Sequence, residues 1–67
     1  MIDRKKLRET IVTELQRVVP NASIEWYLEA SEILVKLFPQ ELPNSLLSLE
    51  VNVSIFLGHI YSGLVQK

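Results

Sequence analysis

Leu7, Ile11, Leu15 and Val18 recur at spacings of four, four and three. Such spacings stack side chains on one face of an α-helix, here predicted over about residues 4–19. Asp3 is placed to cap it, because its carboxylate can accept from a first-turn N–H that has no partner inside the helix. Ile2 and Leu7 then occupy the two positions of a hydrophobic staple. Pro20 stops the helix, since it lacks an N–H and forces Val19 out of helical geometry.

A second helix is predicted over about 22–38, capped by Asn21 or Ser23 and ended by Pro39. Its charges, Glu25, Glu29, Glu32 and Lys36, form a single polar stripe. Most of the remaining circumference is apolar or small: Trp26, Tyr27, Leu28, Ala30, Ile33, Leu34, Val35, Leu37 and Phe38. An apolar arc that wide implies cover on more than one side.

The third helix is predicted over about 45–65, along the seam Leu46, Leu49, Val53, Leu57, Ile60 and Leu64. Leu49, Val51, Val53 and Ile55 also alternate with polar residues, which is the strand period. Nothing else in the chain alternates, so a strand would need a partner from another molecule, and the helix is preferred. The expected fold is therefore an all-α bundle of three helices, with room for a short extra turn near 40–47.

Sixty-seven residues, 48% of them apolar, correspond to one small domain. A core of this size is marginal by itself. There are no cysteines, so neither a disulfide framework nor a thiolate metal site is available. No apolar core follows the N-terminal charges, so no secretory signal is expected and the location expected is cytoplasmic. The window from Leu46 to Val65 carries one charge, Glu50, but Ser48, Asn52, Ser54, His59 and Ser62 interrupt it. That pattern argues against a membrane span.

Charge is uneven along the chain. Residues 1–19 hold five basic and three acidic side chains, while residues 20–50 hold one basic and five acidic. Arg4, Lys5, Lys6 and Arg8 could meet phosphate, which makes a DNA-associated regulator the weakest of the functional alternatives. The net charge of −1 and the scarcity of cations on the second and third helices oppose it. The five aromatics fall at helical spacings and are expected to pack rather than to form a stacking platform for bases.

From Val51 to Gln66 the sequence has no charged side chain apart from a protonated His59. A solvated helix should show a polar stripe. Ser54, Gly58 and Ser62 recur every four residues, a row that lets another helix approach closely, either within the bundle or across a two-fold axis. The surplus of apolar surface favours the intermolecular case. The expected contact residues are Val53, Phe56, Leu57, Gly58, Ile60, Tyr61 and Leu64, with Trp26 and Tyr27 as secondary anchors. The function expected is a non-catalytic interaction or dimerisation module, a small adaptor or regulator with a protein partner or a second copy.

Chemical sites are sparse. His59, within His59-Ile60-Tyr61-Ser62-Gly63, resembles the phosphoacceptor of histidine phosphotransfer domains, but Ser62 stands where that motif has Lys. No further ligands lie at helical spacing from His59, so no metal is expected. The glutamates of the second helix mark no pocket for acid–base work, and no catalytic residue is assigned. The order helix, loop, helix, short connector, helix is similar to a small acyl or peptidyl carrier protein. Asn21-Ala22-Ser23-Ile24, Leu42-Pro43, Val53 and Ile60 sit where that family has its turn and hydrophobic anchors. The resemblance implies a phosphopantetheine arm on Ser23 or Ser31, each preceded by Ala instead of the family's Asp. This carrier-like role is kept as the alternative, and no cofactor or small-molecule substrate is expected otherwise.

Overall fold

Asp3 caps the first helix: extended at φ −66°, ψ 116°, it accepts from the Lys5 N–H at 3.0 Å. In the computed structural model, which describes residues 2–65 and the side-chain surroundings of residues 2–62, helix α1 runs Arg4–Val18. Ile2 packs against the core cluster to which Leu7 belongs, in keeping with a staple. At the other end the Val19 N–H closes onto the Leu15 carbonyl at 2.7 Å, and Pro20 prevents continuation.

The turn into the second helix depends on Asn21, at φ 68° the only non-glycine residue with positive φ among those described. Asparagine tolerates this left-handed region better than most residues. Ser23 then caps α2 (Ile24–Leu37), its hydroxyl accepting from the Trp26 N–H at 3.1 Å. Of the two expected caps, Ser23 is the one used. Tyr27 secures the corner: its buried hydroxyl donates to the Val19 carbonyl and accepts from the Ala22 N–H. A side chain of α2 thus ties down the loop that delivers it.

Helix α3 runs Leu49–Val65, starting about four residues later than the sequence pattern implies. The delay has a physical cause, because the connector contains two capping residues in series. Asn44 closes a separate turn, its Oδ1 accepting from Leu46 N–H at 3.0 Å and its carbonyl from Leu47 N–H at 3.1 Å. Ser48 starts the helix proper, its hydroxyl accepting from Val51 N–H at 3.3 Å and its carbonyl from Asn52 N–H at 3.1 Å. Leu46, expected to open the seam, lies in the connector and is 92% exposed. The extra turn near 40–47 is present, and residues 49–55 are helical rather than extended.

The architecture is an all-α three-helix bundle with α1 in the centre, packed against both other helices. Arg8 near the start of α1 lies 3.9 Å from Glu32 in the later half of α2, while the Tyr27 hydroxyl early in α2 donates to the Val19 carbonyl just past the end of α1. The two helices therefore run antiparallel; the exposed ion pair contributes little to stability. The core joins Leu7, Ile11 and Leu15 of α1 to Tyr27 and Val35 of α2, Phe38, and Val53 and Leu57 of α3. Close to where α2 ends, the Phe38 and Phe56 rings meet edge to face, centroids 4.9 Å apart. Among the described residues the backbones of α2 and α3 do not come close to each other as each does to α1.

Among the described residues, three polar side chains are drawn inside. Ser31 is fully buried with its hydroxyl on the Leu28 carbonyl at 2.7 Å, and Glu14 lies 3.3 Å from Arg17 on the same helix. Asn52, which the sequence pattern treats as an interruption of an apolar helix, is buried and fully engaged with the connector. No buried side-chain nitrogen or oxygen among the described residues lacks a partner.

Candidate interaction groove

Because α2 and α3 each pack along α1 and approach each other only where Phe38 meets Phe56, an apolar groove of about 300 Å³ remains between them. Leu15, Val18 and Val19 form its floor at the end of α1. Trp26, Ala30, Ile33 and Leu34 make one wall, and Leu57, Ile60 and Tyr61 the other. Its walls present carbon almost throughout. Two larger surface depressions differ in kind: each mixes charged with apolar residues, one including Asp3, Lys6 and Glu41 and the other Lys5, Arg8 and Glu9.

The wide apolar arc of α2 explains why a wall is available. Tyr27, Ser31 and Val35 turn inward to α1. Trp26 and Ile33 lie on the flank of that face, 42% and 61% exposed. Among the described residues the bundle covers α2 on one side only, and the expected cover on a second side is not supplied there. Tyr61 is half exposed on the opposite lip.

The expected contact residues separate into groups. Trp26 on one wall and Leu57, Ile60 and Tyr61 on the other come together around the groove. Val53, Leu57 and Tyr27 are buried in the bundle's own core, and of these Leu57 also lines the groove. Phe56 is half-buried against Phe38. Gly58 faces open space, with nothing within 4 Å of the position a Cβ would occupy. Ser54, Gly58 and Ser62 are all exposed, so the small-residue row accommodates neither α1 nor α2. The side chain of Leu64 lies outside the described residues.

Ala30, Ile33 and Leu34, together with the floor residues from α1, were not among the expected contacts. The breadth of the α2 arc was the available signal for them, but periodicity does not say which edge of an arc a neighbouring helix leaves bare.

The remaining chemical candidates stand apart from the groove. Ser31 has no exposed atom to offer a modifying enzyme, while Ser23 is exposed with its hydroxyl engaged as the cap of α2. His59 is exposed, and no group of three potential metal ligands occurs among the described residues. Arg4, Lys5, Lys6 and Arg8 are exposed on the first turns of α1. No helix among the described residues is long and apolar enough to cross a membrane. No protein-family model, curated protein or solved structure matches the chain.

Proposed function

We propose that the protein is a non-catalytic interaction module, a small adaptor or regulator that works by receiving a protein partner in the groove between α2 and α3. The observation that carries this reading is the groove itself: an apolar cleft with Trp26, Ile33 and Tyr61 exposed around it. Contiguous exposed apolar surface on a small protein marks an interaction site, and aromatic residues dominate the energetics of such sites. The chain has reason to need cover there, since a core this small is marginal and each apolar side chain buried at a contact adds about 1.5–3 kcal/mol.

The test is site-specific photocrosslinking. A photoreactive side chain at Ile33 should give a discrete protein adduct in cells, and one at Thr13, exposed on α1, should not. Adding Tyr61→Glu should remove the adduct while leaving the helical signal intact. Equal labelling from both positions, or none from Ile33, overturns the reading.

A further inference from the structure

Building on the interaction-module reading, we infer that the occupant of the groove is an amphipathic α-helix of another protein, flanked on one side of its apolar face by Lys or Arg. The first argument is hydrogen bonding. The groove walls offer almost no donor or acceptor. A segment buried there must therefore satisfy its own backbone N–H and C=O groups, and a helix does so. An extended peptide would need a sheet edge, and the elements here are all helical. A small ligand would need a few placed polar groups to orient it, and these are missing. At about 300 Å³ the space admits side chains, not a helix body. The helix would lie across the mouth and insert bulky residues at spacings of three, four and seven.

The second argument is charge. Glu29 is three residues beyond Trp26 and four before Ile33, so it neighbours both on the surface of α2. Glu25 lies one turn earlier on the same stripe. Neither has a cationic partner within ion-pair distance among the described residues, whereas Glu32 has Arg8. Glu25 suits the positive end of the α2 dipole, but Glu29 has no such local role. Lys36 carries the stripe's one positive charge, at its far end. The α2 lip is thus acidic beside Trp26, while Gly58, Tyr61 and Ser62 on α3 are exposed and uncharged. In a two-fold contact centred on this lip, Glu25 and Glu29 would meet their own duplicates, an arrangement without charge complementarity.

Trp26 is the chain's single tryptophan and lines the groove, so its fluorescence reports occupancy. The probes are three tryptophan-free synthetic peptides of about four helical turns. The first carries Leu and Phe at helical spacing with a Lys flank, the second has Glu in place of Lys, and the third is a scramble of the first. The 67-residue chain should bind the Lys-flanked peptide saturably. Binding should be about tenfold weaker for the Glu-flanked peptide and should fall with added salt. The difference between the two should disappear in Glu25→Gln/Glu29→Gln, whose fold is checked by circular dichroism.

Equal binding of both helical peptides, abolished by Ile33→Glu, overturns the basic-flank inference and leaves the interaction module standing. Scrambled peptide binding as well as the ordered one overturns the helix. No binding by any peptide overturns the inference. If Trp26 emission also shifts to the red on dilution as the mass halves, the occupant is a second copy. Binding that Ile33→Glu leaves unchanged removes the groove, and with it both readings.

Discussion

The carboxamide of Asn52 holds the backbone of Asn44 from both sides: its Oδ1 accepts from the Asn44 N–H at 3.1 Å, and its Nδ2 donates to the Asn44 carbonyl at 3.0 Å. The same Nδ2 lies 3.0 Å from the Ser48 carbonyl and 3.3 Å from that of Leu47. One buried side chain therefore fixes the connector over the start of α3, in a stretch where no helix or sheet pairing can do so.

Asn52→Ala should destabilise the chain by about 2–3 kcal/mol, because it removes several partly buried hydrogen bonds at once. Asn52→Asp should be nearly as harmful despite its matching shape, since a carboxylate cannot donate to the three carbonyls. Urea titration measures the loss, and hydrogen exchange at the Asn44 amide locates it. Stability unchanged in both variants would show that the connector does not depend on this clamp.

Tyr27 separates the ring from the hydroxyl. Tyr27→Phe keeps the packing but removes the bond to the Val19 carbonyl and the acceptor for Ala22 N–H, for a cost of about 1–2 kcal/mol. Tyr27→Ala also empties a core position and should cost about 3–5 kcal/mol. Thermal unfolding of the two variants distinguishes the contributions; equal losses would mean the hydroxyl bridge carries all of the effect.

Asn21, at φ 68°, should accept glycine and resist branched residues. Asn21→Gly is expected to leave stability within about 0.5 kcal/mol of the parent. Asn21→Val should lower it by about 1–2 kcal/mol, the usual penalty for a side chain forced into left-handed backbone. Denaturant midpoints give the comparison.

Gly58 reports on the outer side of α3. With open space at its Cβ position, Gly58→Ala should raise stability by about 0.5–1 kcal/mol through helix propensity alone. Gly58→Leu should fold equally well. Sedimentation of both at micromolar concentration then reads association without interference from the fold, and a loss of mass in Gly58→Leu would place a close helix crossing at this row.

The three helices and most of their ends were legible in the chain because their causes are local. Asp3, Ser23, Pro20 and Pro39 act within a turn of where they stand, so capping and ring geometry identify them directly. The start of α3 was not legible. Asn44 and Ser48 have similar capping chemistry, and the choice of Ser48 for the helix depends on Asn52 reaching back to Asn44. Asn52 had the pattern of a solvated interruption, since polarity alone does not indicate whether a carboxamide finds backbone partners inside.

The contact surface divides along the same line. An excess of apolar side chains over what a small bundle can bury is a property of composition and spacing, and the sequence alone established it, along with the helical class. Which of those side chains close the core and which remain at the surface was decided by the tertiary structure. Val53 and Leu57 turn in to α1 while Ile33 and Tyr61 stay at the open side between α2 and α3. The physical reason is that each helix has one side to place against α1, and the direction of its lean, set by long-range packing such as Phe38 on Phe56, leaves no trace in local periodicity.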